Sequence, residues 1–221
     1  MKDIVTFFRN RLFEVSNPKY NKRELLAFSI PGWFSQAECR YLFELTLLTR
    51  GPILEIGHFL GRSTACIAEA LRGSGGLRKF VSYDLGFISK QEFTKFYNKV
   101  HNQNVPVPKL ARQIYNKKTT STELAKKNLS NLGLLDYVEL ISGNFIEIDN
   151  GKYGFIFCDA MHEANEIRLN LPQIINRSEE NCIWAFHDMT DQNIDITLEY
   201  SKALYINRVN QLSVFQFTNK Q

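Results

Sequence analysis

The stretch "ILEIGHFLGRST", residues 53–64, decides the fold of this chain. An apolar run that ends at a glycine is typical of a buried parallel strand, and the following segment, "RSTACIAEALR", repeats apolar residues at helical spacing. The stretch therefore predicts a strand, a tight turn and a helix. Gly57 and Gly61 permit backbone angles closed to other residues and leave room for a ligand to approach the main chain. Such a turn, between the carboxyl end of a strand and the amino end of a helix, is a common small-molecule site.

The same alternation continues along the chain. Two or three helical stretches precede residue 50, and Ser35 with Glu38 three residues later predicts the start of the clearest one. Strands are predicted at "PILEIG", "KFVSYDLG", "YVELISGNF", "YGFIFCDA" and "NCIWAFHDM", with helices between them, one of which stops at Gly133. Alternating strands and helices predict a parallel sheet covered on both faces. A helix near residues 192–202 precedes two strands, "ALYINRV" and "LSVFQF", separated only by "NQ", which predict an antiparallel hairpin at the sheet edge.

Length and composition limit the architecture. With 221 residues, 44% of them hydrophobic and 23% charged, we expect one globular domain at residues 51–221 and an N-terminal helical extension at residues 1–50. The net charge of +4 argues against a dedicated nucleic-acid binder. Residues 87–118 hold seven Lys or Arg residues and one acid, so this segment is a basic insertion in an otherwise slightly acidic chain.

The cysteines and the apolar runs bear on the cellular compartment. The four cysteines are widely spaced with no CxxC pair, so we interpret them as free and reduced, in a cytoplasmic protein. No apolar run approaches the roughly 20 residues of a membrane span. The N-terminal "MKDIVTFFRNRLFEV" has no small-residue cleavage site, and a docking helix is favoured there over an interfacial one.

Polar residues follow the predicted strands. They are Glu55 and Gly57 on the first, Asp84 on the second, Asn144 after the third, Asp159 on the fourth, and His187 with Asp188 on the fifth. Because the carboxyl ends of parallel strands line one crevice, we expect these residues to converge. Asp84 stands 27 residues beyond Gly57, where a carboxylate can accept both hydroxyl hydrogens of a ribose. A ligand that contains a nucleoside is therefore predicted.

Two phosphate-binding motifs fail to match. The dinucleotide fingerprint GxGxxG is missing, and "GHFLGRST" is one residue short of a phosphate loop, with Arg62 in place of its lysine. Glu55, two residues before the first glycine, suits instead a ligand with a cationic end near the loop.

The chain resembles a known family at these motifs. "ILEIGHFLGRST" is similar to motif I of class I S-adenosylmethionine-dependent methyltransferases. "FIFCDAMHEANEIRLNLPQI" with "CIWAFHDM", and the lead-in "IPGWFSQAECRYLFEL", resemble the macrocin-type sugar O-methyltransferases. The likeness covers about residues 30–190 and implies a Rossmann-like, doubly wound α/β fold. Its sheet would be mostly parallel and seven-stranded, with an antiparallel C-terminal edge hairpin.

The resemblance also implies a cofactor site for S-adenosylmethionine. In it, Glu55, Gly57 and Gly61 shape the methionine pocket, Asp84 holds the ribose, and Asn144 approaches the adenine. Asp159 faces the reacting end as a cofactor-binding and catalytic residue. The loop residues His58, Phe59 and Ser63 complete this predicted set. The chain departs from the family where Met161 and Asn170 replace frequent aspartates, and "EEN" replaces the usual "PGG".

The reacting end leaves two alternatives open. Related enzymes often bind a divalent ion that lowers the pKa of the acceptor hydroxyl, and Asp159, His187 and Asp188 could hold one, for example Mg²⁺. Without a metal, His162 is the candidate general base, since an unperturbed imidazole titrates near pH 6.5. His162 could equally be a helix cap. The lost carboxylate at Met161 favours the metal-free case.

The basic insertion at residues 87–118 is too long for an ordinary connection and predicts a lid or an acceptor-binding segment with a helix of its own. Its charge favours an anionic small-molecule acceptor, such as a nucleotide-linked sugar, and a solvated basic surface is the alternative.

We therefore predict a methyltransferase acting on a sugar or other small-molecule hydroxyl. A non-catalytic cofactor-binding or partner subunit ranks second and an RNA methyltransferase third, and a homo-oligomer is left open.

Overall fold

The structure is a computed structural model that describes residues 24–75, 78–86, 89–101, 109–112, 114 and 119–218. The expected docking helix at residues 1–15 lies outside these residues. So does part of the basic insertion, including Phe87, Tyr115, Lys117 and Lys118 and the side chains of Phe93, Phe96, Tyr97 and Lys99.

Seven strands form one sheet within the described residues, in the order β3-β2-β1-β4-β5-β7-β6. Their bounds are β1 Ile53–Ile56, β2 Phe80–Asp84, β3 Glu139–Ser142, β4 Tyr153–Cys158, β5 Ser178–Phe186, β6 Leu204–Val209 and β7 Leu212–Gln216. Each of the first five strands in this order, β3, β2, β1, β4 and β5, pairs in parallel with the next. The chain order reverses between β1 and β4, which opens a crevice at their carboxyl ends. The predicted fold class is confirmed.

The C-terminal hairpin completes the sheet. β7 pairs antiparallel with both β5 and β6, so its residues lie inside the sheet and β6 forms the edge. Asn210, in the turn, has a φ of 52°, a left-handed conformation that asparagine tolerates better than most residues. The predicted antiparallel addition is therefore confirmed.

Helices cover both faces of the sheet. They are α1 Gln36–Leu48, α2 Arg62–Gly73, α3 Lys90–His101, α4 Ser121–Asn131, α5 Phe145–Ile148, α6 Ala164–Arg177 and α7 Asp191–Ser201. Successive residues of a strand point to opposite faces. Phe155 and Phe157 of β4 accordingly join the core under α1, α2 and α4, whereas Ile156 and Cys158 join the core under α6 and α7.

The N-terminal extension belongs to the first of these cores. Ser35 and Glu38 form the predicted capping box at the start of α1, with Glu38 N–H donating to Ser35 Oγ and Ser35 N–H donating to Glu38 Oε2. Tyr41, Leu42 and Leu45 of α1 are fully buried against the sheet layer. The extension is therefore packed into the fold from residue 25 onward.

Other local predictions are also met. The basic insertion contains a helix of its own, α3. Gly133, with a φ of 63°, follows the end of α4 as the predicted stop. Cys39, Cys66, Cys158 and Cys182 are all buried and free. Among the described residues, none of the helices combines the length and hydrophobicity that crossing a lipid bilayer requires.

Candidate active site

A cavity of about 750 Å³ lies at the carboxyl ends of the parallel strands. Ten of the twelve residues predicted for the site line it: Gly57, His58, Phe59, Ser63, Asp84, Asn144, Asp159, His162, His187 and Asp188. Glu55 and Gly61 are not among its lining residues. The convergence expected from the strand ends is thus present, and these two residues act beneath the cavity.

The two loop glycines have the unusual backbone angles expected of them, and each also allows a close approach within the protein. Both have positive φ, 92° at Gly57 and 90° at Gly61. A Cβ atom on Gly57 would lie 2.7 Å from the carbonyl oxygen of Asp159, and one on Gly61 would lie 3.3 Å from Cβ of Ala125 in α4. The glycines therefore allow the loop to approach β4 and α4, rather than only leaving room for a ligand.

Glu55 lies under the loop and does not face the cavity. Its carboxylate accepts hydrogen bonds from three hydroxyl groups, Ser63 Oγ at 2.6 Å, Thr64 Oγ1 at 2.7 Å and Ser82 Oγ at 2.6 Å. Burial raises the pKa of Glu55 to about 7, although these hydrogen bonds oppose the shift. The contacts of Glu55 in the structure are with protein hydroxyls, and the cationic ligand end expected near the loop stays a prediction.

His58 joins this buried network to α4. Its Nδ1 lies 3.0 Å from Ser82 Oγ and its Nε2 lies 3.0 Å from Thr122 Oγ1. Burial lowers the pKa of His58, because the imidazolium form loses its hydration. A neutral histidine therefore connects β2, the loop after β1 and the start of α4.

Asp84 ends β2 with its carboxylate at the cavity. Its oxygens accept hydrogen bonds from Phe59 N at 2.9 Å, Gly86 N at 2.8 Å and Ser121 Oγ at 2.7 Å. A carboxylate has about four lone-pair positions, so capacity for a ligand hydroxyl remains. These three donors hold the carboxylate in place at the end of the strand.

Asn144 caps the short helix α5 beside the same end of the cavity. Its Oδ1 accepts from Ile146 N at 3.1 Å, and its Nδ2 donates to Glu147 Oε1 at 3.1 Å. Phe145 and Ile146 line the cavity next to it. The region predicted for the adenine is thus mainly apolar beside a capped helix start.

Asp159, His162 and Asp188 form a partly exposed cluster at the other end. His162 Nε2 lies 3.7 Å from Asp159 Oδ1 and 3.5 Å from Asp188 Oδ2. Burial disfavours the imidazolium of His162, but the neighbouring Asp159 and Asp188 outweigh it and raise the pKa of His162. Glu163 provides the N-cap of α6, so the His162 ring is not a helix cap. His162 is therefore available to a ligand in the cavity.

His187 lies behind this cluster and is enclosed by carboxylates. Its Nδ1 is 3.0 Å from Asp159 Oδ1 and 3.4 Å from Asp188 Oδ1, and its Nε2 is 3.3 Å from Glu38 Oε1. Burial opposes its ionisation, but the hydrogen bonds to Asp159 and Glu38 raise the pKa of His187 to about 10. With both ring nitrogens facing carboxylates, His187 has no lone pair to offer a metal.

Among the described residues, the group of side chains close enough together to hold an ion contains His162 rather than His187. The ligand atoms that lie within 4.8 Å of one another belong to Asp159, His162 and Asp188. His187 instead acts as an internal cation that holds Asp159 in its ionised form, and the pKa of Asp159 is lowered well below its usual value despite burial, by hydrogen bonds from His162 and His187.

Glu38 was missed as a residue of this site. It is buried in α1, and its carboxylate accepts from Ser35 N at 2.8 Å and from Gln211 N of the hairpin turn at 3.0 Å. Burial opposes its ionisation, but hydrogen bonds from His187 and Ser35 lower the pKa of Glu38 to about 2. The sequence indicates only its role as the third residue of a capping box.

The lead-in to α1 also reaches the cavity. Pro31, Gly32, Trp33 and Phe34 line it, and Arg62 holds this loop by donating from Nε to Ile30 O and from Nη1 to Phe34 O, both at 2.6 Å. Strand-end reasoning had no signal for these residues, because they precede the first strand. Of the basic insertion, Ile114 is the described residue that lines the cavity.

The sequence and the fold have known counterparts. The family model described as a methyltransferase domain matches residues 54–189. No curated protein matches the sequence.

The chain is also similar to solved structures. The O-methyltransferase TomG of Streptomyces achromogenes, in complex with SAM, is 16% identical, with 90% of this chain and 92% of that chain covered and a TM-score of 0.55. An O-methyltransferase of Bacillus cereus in complex with SAH is 16% identical over 97% of this chain and 100% of that chain, with a TM-score of 0.56. A SAM-dependent O-methyltransferase of Thermotoga maritima is 13% identical over 90% and 72%, also with a TM-score of 0.56. At these identities the similarity concerns the fold.

Proposed function

Because the chain belongs to the methyltransferase-domain family and is a class I S-adenosylmethionine-dependent methyltransferase, we propose that it transfers the cofactor's methyl group to a small-molecule hydroxyl. One observation carries this proposal. A single cavity has a fixed carboxylate, Asp84, at one end and a histidine between two carboxylates, His162, at the other. The first suits a ribose, and the second suits a hydroxyl that must lose its proton.

The lining residues fit the cofactor. The cavity volume of about 750 Å³ lies within the range of small-molecule sites. Asp84 would accept the ribose hydroxyl hydrogens, and Asn144 with Phe145 would lie at the adenine. When bound, S-adenosylmethionine supplies an electrophilic methyl group on a sulfonium and leaves as the thioether S-adenosylhomocysteine.

His162 has the proton-transfer role in this proposal. Its Nε2 takes the proton of the acceptor hydroxyl as the new C–O bond forms and the C–S bond breaks. Asp159 and Asp188 stabilise the imidazolium that results, since each carries a carboxylate oxygen within 3.7 Å of Nε2. The remaining task of the protein is to hold the donor and the acceptor in line.

A divalent metal fits the reacting end less well. Asp159 Oδ1 already accepts from the His187 ring, and His187 itself is excluded as a ligand by its two carboxylate neighbours. Asp159, His162 and Asp188 would hold an ion if one binds, and it would lower the pKa of the acceptor hydroxyl. We propose that His162 removes the proton unaided.

Calorimetry with S-adenosylmethionine and S-adenosylhomocysteine tests the proposal. We expect heat of binding from both, at protein concentrations that detect a dissociation constant of about 100 μM. An absence of heat from both ligands with the folded protein would overturn the proposed function. Formation of S-adenosylhomocysteine without a methylated oxygen in the product would overturn the oxygen acceptor alone.

A further inference from the structure

Resting on the proposed methyl transfer, we infer that Trp33 and Phe59 form the platform on which the acceptor lies, and that the acceptor is an uncharged aromatic ring carrying a hydroxyl. This commits the site to a narrower class than small-molecule hydroxyls in general. It also moves acceptor recognition from the basic insertion to the lead-in of α1.

The platform is a stacked pair of aromatic rings at the cavity. The ring centroids of Trp33 and Phe59 are 5.0 Å apart with an interplanar angle of 27°. Trp33 remains 59% exposed while it lines the cavity. Such a pair presents a flat apolar face, onto which a further aromatic ring can stack in an offset arrangement.

The backbone of Phe59 is strained to place its ring there. Its φ is 44°, a left-handed conformation that is rare for a bulky residue. The strain is maintained by the Phe59 N–H donating to Asp84 at 2.9 Å. Strained residues of this kind concentrate at ligand sites.

The chain around Trp33 is fixed, and the residue that follows Trp33 contacts the histidine behind the proton-transfer cluster. The ring of the next residue, Phe34, is 4.6 Å from the ring of His187, which contacts Asp159. Arg62 holds the carbonyl groups of Ile30 and Phe34 on either side. The Trp33 backbone is therefore anchored between two fixed residues, one of which contacts His187.

A second apolar wall comes from the opposite face of the sheet. Leu169 in α6 lines the same cavity and is 74% exposed. Phe34, the residue after Trp33, belongs to the core under α1, whereas α6 covers the other face of the sheet. A cavity that Trp33, Leu169, His162 and Asp188 line together suits a flat molecule with a hydroxyl at its edge.

The charges of the described lining residues disfavour an anion. They include four carboxylates, Asp84, Asp159, Glu166 and Asp188. The cations that line the cavity are Arg62, whose Nε and Nη1 already donate to carbonyl groups, and His187, whose ring nitrogens already face carboxylates. An anionic acceptor would approach like charges at the reacting end. The anionic sugar expected from the basic insertion is therefore not the acceptor that these residues favour.

Tryptophan fluorescence provides a direct test. The chain has two tryptophans, and Trp184 is fully buried, so quenching by a ligand reports on Trp33. The full chain, saturated with S-adenosylhomocysteine, is titrated with hydroquinone and with its saturated counterpart cyclohexane-1,4-diol. Phenyl phosphate and methyl glucopyranoside are the anionic and the sugar probe. We expect hydroquinone to bind roughly threefold to tenfold more tightly than the diol and the glucoside, the range of one aromatic stacking interaction. It should also bind more tightly than phenyl phosphate, which keeps the ring but adds negative charge beside the carboxylates, and tighter binding of phenyl phosphate would overturn the uncharged acceptor.

Variants separate the platform from general surface effects. Trp33→Ala removes the fluorescent reporter, so the binding of the probes to this variant is measured by calorimetry. We expect the Trp33→Ala variant to lose the preference for hydroquinone. Trp33→Phe should retain the preference, and Leu169→Ser should weaken it. Tyr200→Ala, at an exposed aromatic of α7 that does not line the cavity, is the matched control and should change nothing.

The outcomes distinguish this inference from the function on which it rests. If S-adenosylhomocysteine does not bind, both fall. If it binds but hydroquinone shows no preference over the diol or the glucoside, the aromatic acceptor alone is overturned. Equal weakening of S-adenosylhomocysteine and hydroquinone by Trp33→Ala would assign Trp33 to the cofactor and also overturn it.

Discussion

The two ends of the cavity satisfy their buried polar groups in opposite ways. At the cofactor end, Glu55 and His58 are bonded to serine and threonine hydroxyls, and Asp84 to backbone amides and a serine. At the reacting end, charged groups satisfy one another: Glu38, His187, Asp159, His162 and Asp188 form a continuous series of contacts. Neutral donors make the first end insensitive to the loss of a single charge, whereas each charge in the second depends on its neighbours.

The largest effect is expected at the reacting end, from His162→Ala. Loss of a general base typically costs about 10²–10⁴-fold in rate, and we expect this fall in kcat, assayed in EDTA with the best acceptor found. S-adenosylhomocysteine affinity should stay unchanged, which is the control measured by calorimetry. EDTA itself should have no effect on the wild type. Full activity of His162→Ala in EDTA would contradict the proposed base, and inhibition by EDTA would restore the metal alternative.

Glu38→Gln tests whether the charges depend on one another. It removes one partner of a buried ion pair and should lower the free energy of unfolding by about 3 kcal/mol, the lower end of the usual range, because Asp159 still contacts His187. The pKa of Glu38, about 2, is lowered, so its contribution is lost as pH falls from 4.5 through 2.

The pKa of His187, about 10, is raised, so its contribution to the same pair is lost as pH rises from 6.5 through 10. Denaturant unfolding of the wild type and of Glu38→Gln measures the difference in the free energy of unfolding. This difference should reach its full size between about pH 4.5 and 6.5. Glu199→Gln, at an exposed acid of α7, is the control. An equal loss at every pH would show that the pair is not held by charge.

Glu55→Gln makes the matching test at the cofactor end. The folded protein keeps the proton of Glu55 until about pH 7, whereas an unfolded chain releases it near pH 4.5. The unfolded state then binds fewer protons, so this group makes stability fall with rising pH between these values, by about 3 kcal/mol. Glu55→Gln should lack that fall. Parallel pH profiles of the free energy of unfolding would show that Glu55 is ionised in the fold.

Gly57→Ala tests the junction between the two ends. We expect it to lower the free energy of unfolding by about 2–3 kcal/mol more than Gly75→Ala. Both glycines have positive φ, but an added Cβ meets Asp159 O at 2.7 Å in the first and nothing within 4 Å in the second. The difference between the urea midpoints of the two variants measures the cost of the close approach between the loop after β1 and the end of β4. Equal losses of stability in the two variants would mean that only the backbone angle matters.

Asp84→Ala should weaken S-adenosylhomocysteine binding by about 1.5–3 kcal/mol, as for hydrogen bonds to a charged group. Ser121→Ala, which removes one protein donor from the same carboxylate, should change affinity less, because two backbone amides still hold Asp84. Calorimetry of both variants gives the comparison. Unchanged affinity in a folded Asp84→Ala protein would show that the ribose lies elsewhere.

Sequence reasoning succeeded where local pattern and strand position are sufficient. The apolar run before Gly57, the capping pair at Ser35 and Glu38, and the short "NQ" connection each correspond to an observed element. The strand-end acids converged because parallel pairing brings the carboxyl ends of β1, β2 and β4 to one edge. Sequence distance does not matter for residues placed by that rule.

The partners of those residues were decided only by tertiary packing. Glu38 and His187 are 149 positions apart, and no periodicity relates a helix cap to the end of β5. No sequence pattern relates Trp33 to Phe59 either. Their rings stack because Arg62 and the core under α1 hold the lead-in against the cavity. The sequence by itself determined which groups stand at the cavity. Packing determined which of them are ionised, since burial and charged neighbours set each pKa and both arise only when distant segments meet.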